Sequence, residues 1–380
     1  MDKKIKVCHL TSAHESNDIR IFQKECTTLA KEENLEVYLV AQGESRVENG
    51  VRVVGIGKNS GGRLNRMLKV ARQIYKQAAS LKADIYHFHD PELLLFARKL
   101  KRQGSVVIFD SHEHYSQQIS EKQYLPSILR NIIASIYKVY ETYVVKRIDA
   151  VIIPGTIERK NPFSGRSKNS ILLGNYPILD ERRGYAKRIK PSSIEDVKVC
   201  YVGGLCEQRG ITKLVKGCYK AGVKLILAGS FSPSEYKQKI FSMEESKCID
   251  YRGICNYDEV TTIYQESHIG AATPLKIGQF AKMENLLTKV YEYMQVGIPI
   301  IMSDTAYNKK LMESEDFAYL VNPDDEDKLA DTIISIYHDY DKAIKKTELA
   351  RKLIEEKYNW NISVRNLITL YRKLYYNSQE

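Results

Sequence analysis

Short β-branched runs alternate with longer segments of helical period along nearly the whole chain, and no other feature limits the fold as strongly. Parallel strands covered by helices produce this pattern. In the first half the strands read as Lys6–Thr11, Glu36–Val40, Val51–Gly55, Asp84–His89, Val106–Ser111, Ala150–Pro154 and Ile171–Gly174. A second series reads Lys198–Gly203, Val223–Gly229, Ile249–Gly253, Ile269–Pro274, Ile298–Ser303 and Ala318–Val321. The pattern lapses between them in the polar run Leu179–Ser193. A chain of 380 residues exceeds one ordinary core. The expectation is an α/β protein with two Rossmann-like domains facing across a central cleft: 1–180 with 362–380, a linker at 181–194, and 195–361. Sites in such sheets lie off the carboxyl ends of the strands.

Two helical segments carry expectations of their own. Ser127–Arg147 places Ile128, Leu129, Ile132, Ile133, Ile136, Tyr140, Tyr143 and Val144 at i, i+3, i+4 spacing, and it reads as a core helix with one buried face rather than a membrane-surface helix. Ile362–Tyr376, just after the only tryptophan, reads as a helix that crosses back to brace the first domain.

Composition removes several function classes. With 43% hydrophobic and 28% charged residues and only 10 prolines, the chain is globular rather than disordered. Its 7 cysteines contain no CxxC pair, which fits a reduced cytosolic compartment and no zinc site. The start before Ile5–Leu10 is too short for a signal-peptide core, and no apolar run nears the ~20 residues that span a bilayer. Residues 1–190 hold 33 Lys and Arg against 20 Asp and Glu, whereas 191–380 hold 25 against 27. A basic half suits a phosphate-rich ligand, an anionic membrane surface or nucleic acid. Nucleic acid is set aside because no helix-turn-helix, zinc-finger or RNP pattern accompanies the charge.

Three segments could carry chemistry. In Met283–Asp304 a helix is expected from near Asn285 to a glycine cap at Gly297, with Glu284 and Glu292 separated by eight helical steps, or about 12 Å. That span matches the distance from a nucleotide ribose to the sugar beyond its pyrophosphate, and helix-start amides between the two acids would face phosphate. The alternative is an acidic first turn followed by a surface glutamate. In Val202–Leu214 a strand runs into Gly203-Gly204, and a helix opens with Arg209 and Lys213, which suit phosphate, or are simply two solvated cations. The glycines do not form GxGxxG, and no acid follows at the spacing an NAD site requires. Third, His14, His87, His89, His112 and His114 gather at sheet-top positions, open to three readings: a metal site, a general base, or neutral partners for sugar hydroxyls. By contrast, Asp325-Glu-Asp327 directly precedes a helical run and reads as a helix start rather than a cation-binding Asp-x-Asp.

Taken together, Tyr201-Val-Gly-Gly, Arg209-Gly-Ile-Thr-Lys-Leu, Leu227-Ala-Gly-Ser, Tyr251-Arg-Gly-Ile, Ala272-Thr-Pro and Glu284-x7-Glu292 with Gly297-Ile-Pro resemble the retaining family-four glycosyltransferases of the GT-B architecture. His9-Leu-Thr-Ser, Asp18-Ile-Arg-Ile-Phe-Gln-Lys-Glu25 and His87-Phe-His-Asp-Pro are similar to members that build bacterial surface polysaccharides, capsular or exopolysaccharide. The resemblance covers essentially the entire chain. It implies that Glu292 holds the donor ribose, that Glu284 and His89 act beside the transferred sugar as the catalytic pair, and that Arg209 and Lys213 bind the diphosphate. Gly204, Asn285, Leu286 and Leu287 would complete the donor site, with Gly229 and Ile254 lining the base pocket. Ser12, His14, Asp90, His112 and Glu113 would stand on the acceptor side. Two departures are Gly204, where many relatives carry a second cation, and Ser12–Asp18, which replaces a glycine-rich loop.

The expectation is therefore a cytoplasmic, metal-independent hexosyltransferase with no cofactor, peripheral on the inner face of the cell membrane through its basic half. It would take a nucleoside-diphosphate sugar, UDP rather than GDP, and a glycan or lipid-linked saccharide acceptor. A glycosidase is disfavoured because the two glutamates stand too far apart. The alternatives are a nucleotide-sugar epimerase of the same architecture and a non-catalytic nucleotide-sugar or glycan-binding protein.

Overall fold

The computed structural model describes residues 4–379 apart from 59–60, 63–64, 113–114, 116–118, 120–125, 158–159 and 180–187. The chain divides into two compact units, Met1–Asn175 with Trp360–Glu380, and Tyr176–Asn359. The boundary before the last helix differs by two residues from that set by polarity alone, but the second unit starts at Tyr176 rather than at 195 and takes in the stretch read as a linker. The reason is packing: Tyr176 already lies against the Tyr291 and Tyr358 rings, at 5.2 and 5.7 Å between centroids, before the polar run begins. Trp360 is buried in the first unit, where its Nε1 donates to Thr28 Oγ1 at 2.9 Å.

In the first unit the strands are β1 (Ile5–Glu15), β2 (Leu35–Gln42), β3 (Arg46–Glu48), β4 (Val51–Gly55), β5 (Ile85–Phe88), β6 (Val106–Asp110), β7 (Ala150–Ile153) and β8 (Ser170–Leu172). They form an 8-stranded sheet in the order β3-β4-β2-β1-β5-β6-β7-β8, parallel except for β3. Side chains alternate between its faces. Ile85 and Ile108 point to one core, shared with α6 (Trp360–Asn377), and Tyr86 and Phe109 to the other, shared with α1 (Leu94–Lys101). Order reverses at β1, which has β2 on one side and β5 on the other, so the loops after β1 and β5 flank a topological switch point.

The second unit contains β9 (Lys198–Val202), β10 (Lys224–Ala228), β11 (Ile249–Gly253), β12 (Ile269–Ala272), β13 (Ile300–Ser303) and β14 (Tyr319–Val321). Their order is β11-β10-β9-β12-β13-β14, with β9 at the switch point. Both sheets are thus parallel α/β sheets with helices on each face, as the alternation implied. Asp325 caps Glu326–His338 by accepting the Lys328 amide at 2.9 Å, which bears out its reading as a helix start.

Two expectations are corrected. The helix Ser127–Val145 does not bury the apolar face read from its spacing: Ile128, Leu129, Ile132, Ile133, Ile136 and Tyr143 are exposed, and the side it packs inward is Ala134, Glu141, Val144 and Val145. The second helix of interest, Thr288–Val296, begins later than Asn285, because the preceding residues run extended to bury Leu286 in the core. Glu284 therefore lies outside the helix, and helical rise does not set its distance from Glu292.

The brace formed by α6 can be tested directly. Trp360→Ala should destabilise the protein by about 3–5 kcal/mol through loss of a filled core position, read as a lowered midpoint in urea unfolding; an unchanged midpoint would mean that α6 is not part of the first core.

Candidate functional site

Five polar residues meet on one face of the first sheet at the carboxyl ends of its central strands. His9 of β1 is in register with His87 of β5, and Asp110 of β6 shares their face. Arg20 and Glu25 enter from the helical segment Ile19–Cys26, whose start is capped by Asp18 accepting the Arg20 and Ile21 amides at 2.9 Å each. Burial opposes charge on Asp18, but the His14 hydrogen bond and those amides hold it down to about 2.

The Arg20 guanidinium donates twice to Asp110 Oδ2, from Nε at 3.2 Å and Nη2 at 2.8 Å, and once to the Leu173 carbonyl at 3.2 Å. Burial alone would raise the Asp110 carboxyl; Arg20 and then His112 overcome it and hold it well below the usual range. Glu25 goes the other way, pushed well up by burial and by the Asp110 charge. Neither Glu25 oxygen accepts a hydrogen bond, nor does Asp110 Oδ1, although Glu25 Oε1 stands 3.2 Å from Arg20 Nε.

The charge on Asp110 then sets every tautomer along a buried relay. It takes the Nε2 proton of His112 at 3.2 Å, which leaves the Nδ1 atom of His89, 3.0 Å from the same nitrogen, as an acceptor. His89 consequently carries its proton on Nε2 and donates to His9 Nδ1 at 2.9 Å. His9 Nε2–H faces the Tyr371 oxygen at 3.2 Å, and the Tyr371 hydroxyl donates to His87 Nδ1 at 2.6 Å. His87 is left with a proton on Nε2 and no partner for it. Burial favours the neutral form of all three inner imidazoles: it drives His9 and His89 well down and His87 to about 3.

Two overlapping groups, His9-Glu25-His87-His89 and Glu25-His89-Asp110-His112, each bring one ligand atom per residue within 4.8 Å of one another. A cation there would have to break the relay. The His9 and His89 rings lie within 16° of parallel and direct their nitrogens at each other rather than at a common centre.

Asp90 organises the loop after β1. Its Oδ2 accepts from Thr11 Oγ1, the Ser12 amide and the Ala13 amide at 2.8, 2.6 and 3.1 Å. Ser12 Oγ donates to Glu92 at 3.0 Å. Of the residues expected on the acceptor side, Ser12 and Asp90 are thus buried and tied to each other, while His112 and His14 reach the surface, with side chains 12% and 35% exposed. The His89 ring is fully buried with both nitrogens engaged, so it positions His112 rather than facing solvent. Glu113 lies outside the described residues.

In the second unit the loop after β9 is shaped by close backbone approaches. A Cβ on Gly229 would lie 1.9 Å from the Gly203 carbonyl, and one on Gly210 would lie 2.0 Å from that of Thr273. Both have positive φ, so only glycine fits. Gly210 opens α3 (Ile211–Lys220) and seats Arg209 beside Gly204, with its guanidinium 5.8 Å from the Phe280 ring. Lys213 turns to α5 (Glu326–His338), where it pairs with Glu326 at 2.7 Å. A lysine that sequence reading assigned no role takes its place near Arg209. Lys289, in α4 (Thr288–Val296), is buried, its Nζ 3.1 Å from the centre of the Tyr201 ring and without a hydrogen-bond partner. It points at the loop, since a Cβ on Gly203 would come within 3.4 Å of that amine. Burial, and then the Arg209 charge, lower it well below the usual lysine range. The signal was present in the sequence: Lys289, Tyr293 and Val296 share one buried helix face, and a lysine in such a stripe is out of place.

The start of α4 has no side-chain cap, and its Val290 amide donates to the Leu287 carbonyl at 2.9 Å. Asn285, Leu286 and Leu287 line a small cavity there with Pro274 and Phe280. At the other end Gly297 closes the helix in the left-handed region, as expected. Glu292 accepts from Tyr264 at 2.6 Å, and Gly229 accepts from Tyr251 at 2.9 Å. Ile254 stands 82% exposed beyond β11.

With this geometry in hand, the comparisons with known proteins are consistent. Residues 25–161 match the model described as Glycosyltransferase Family 4, and residues 186–360 that of Glycosyl transferases group 1. The chain is a glycosyltransferase of the GT-B type. Among solved structures it is similar to sucrose-phosphate synthase from Thermosynechococcus elongatus (TM-score 0.75, 16% identity, covering 98% of this chain and 100% of that one). It is also similar to HepE from Anabaena in complex with UDP-glucose (0.67, 13%, 97% and 100%) and to a glycosyltransferase from Rickettsia africae (0.67, 15%, 98% and 98%). No curated protein matches its sequence.

Two measurements follow from the buried charges. His9, His87 and His89 have depressed pKa values, so each contributes stability that is present above the unfolded value near pH 6.5 and lost as pH falls. Glu25, raised, regains one share over the same window. The net loss from pH 6.5 to 5 should be on the order of 2 kcal/mol per pH unit, and thermal unfolding across that window should show a slope that shrinks in His87→Phe. Lys289→Met should stabilise the unliganded protein by ~1–3 kcal/mol by removing an unpartnered buried amine; a lowered Tm would show that the amine is held by a partner.

Proposed function

We propose that this glycosyltransferase moves a hexose from a nucleoside-diphosphate sugar, UDP-linked in preference to GDP-linked, onto a glycan or lipid-linked saccharide with retention of configuration. The reading extends to cell-surface polysaccharide synthesis at the cytoplasmic face of the membrane, with no bound metal or cofactor. The observation that carries it is the Gly203-Gly204 loop with Arg209 on one side and the unpartnered Lys289 amine beneath it. A diphosphate would supply the anion that Lys289 lacks, and the positive end of the α4 dipole, which has no side-chain cap, would favour it too. The bound UDP-glucose of the Anabaena relative supports a uridine donor.

In this reading Arg209, Lys289 and the positive end of α4 stabilise the leaving diphosphate electrostatically. Glu292, steadied by Tyr264, holds the ribose, and Glu284 lies beside the sugar. His112 and His14 meet the acceptor, and His89 keeps His112 oriented. A donor phosphate oxygen helps remove the acceptor proton, as in the family this chain resembles, so the diphosphate side carries most of the catalysis.

Hydrolysis of UDP-glucose and transfer to lipid-linked saccharides test the assignment. Arg209→Ala and Lys289→Met should each lower kcat/KM by about 100-fold, and Glu284→Ala should lower kcat more than it raises KM. Intact activity in Arg209→Ala and Glu284→Ala together is incompatible with the proposal, as is conversion of the donor to an isomer with no acceptor present.

A further inference from the structure

Among the described residues nothing covers the apolar face of the helix Ser127–Val145, labelled α2. Ile128, Ile132, Ile136 and Val139 are 76, 50, 65 and 72% exposed, and they fall on one stripe along its length. Leu129 extends the stripe, and Leu95 of the neighbouring α1 is exposed as well. A run of large aliphatic side chains in water is costly, and a patch of this kind marks an interaction surface.

The charges around the stripe identify what covers it. The one acidic residue of α2, Glu141, is buried and paired with Arg166 at 2.6 Å, so the exposed surface of the helix carries no negative charge. At its carboxyl end Tyr143 is flanked by two guanidinium groups, Arg147 at 3.8 Å and Arg98 of α1 at 5.0 Å from the ring centre. Lys146, Lys99 and Arg102 stand exposed close by in sequence. Interfaces between proteins are depleted in lysine, which this face carries at Lys99 and Lys146. A bilayer surface combines what this face requires: hydrocarbon for the aliphatic stripe, an interfacial level for the tyrosine, and lipid phosphates for the arginines. No helix among the described residues is long and apolar enough to cross a membrane, so the helix would lie in the plane of the interface.

We propose that α2, with the outer face of α1, docks the protein on an anionic lipid bilayer, the aliphatic stripe entering the acyl boundary and Arg98 and Arg147 contacting headgroup phosphates. This inference deepens the anionic-surface part of the reading above and rests on that part alone, not on the sugar chemistry. Because vesicle binding is read without donor or acceptor, a failure of the transferase assignment would leave it standing, and the reverse also holds.

The experiment is co-sedimentation of the full chain with phosphatidylcholine vesicles, with and without phosphatidylglycerol, at low and high salt. Wild-type protein should bind anionic vesicles at least ~10-fold more tightly than neutral ones, with the difference shrinking in salt. Ile132→Glu with Ile136→Glu should abolish binding to both, and Arg98→Glu with Arg147→Glu should abolish the anionic preference, each with Tm within a few degrees of wild type. Should the aliphatic pair destabilise the protein, Ile132→Ser alone, a milder surface change, should still weaken binding several-fold. Equal binding to the two vesicle types, binding to neither, undiminished binding by the variants, or a dimer in sedimentation velocity that Ile132→Glu with Ile136→Glu dissociates would each overturn the proposal.

Discussion

The ion pair between Arg20 and Asp110 governs the polar interior of the first unit. Both groups are buried, and Asp110 stays charged because two guanidinium nitrogens, and then His112, reach one of its oxygens. From that charge the protonation of Glu25 and the tautomer of each imidazole follow in turn, out to the surface edge of His112 and in to Tyr371. Replacing Arg20 with an uncharged residue would strand a carboxylate without compensation and allow the whole sequence of donors and acceptors to reverse. Stability and site geometry are thus a single problem there, since the same proton positions that keep the core satisfied decide which nitrogen His112 presents.

The second unit handles charge in the opposite way. Its buried lysine amine has an aromatic face at 3.1 Å and no hydrogen-bond partner, an arrangement that costs stability. Glycines hold the loop so close to its neighbours that a side chain at Gly229 or Gly210 would collide with backbone. Under the diphosphate reading the rigid loop and the unpartnered amine would belong together, since a pre-organised loop would lose little freedom on binding.

Much of this was legible in the residues themselves. Period-2 and period-3.6 runs located the strands of both sheets, because buried parallel strands leave continuous β-branched segments. The switch-point loops were legible for the same reason, being the glycine and polar punctuation between strand and helix. The antiparallel β3 was missed, since three residues with mixed polarity carry no period. Burial of α2 was misread because spacing reports that a helix has an apolar face, not that anything packs on it. The start of α4 was placed too early because Glu284-Asn-Leu-Leu suits a helix locally, while burial of Leu286 favours an extended entry. The pairing of Lys213 was not legible for a reason no single segment reveals: its partner is Glu326, more than a hundred residues away.

The last helix has a consequence for how the chain is made. Val364, Leu367, Leu370 and Leu374 complete the core beneath the first sheet, and Tyr371 closes its hydrogen-bonded interior, yet all of them follow the entire second unit in sequence. During synthesis the amino-terminal sheet must wait with one side uncovered while the later-made portion, whose strands and helices are contiguous, can mature ahead of it. The order of translation and the order of maturation are therefore inverted, and a nascent chain whose Trp360–Asn377 has not yet packed carries an amino-terminal sheet with exposed aliphatic surface, a natural client for chaperones.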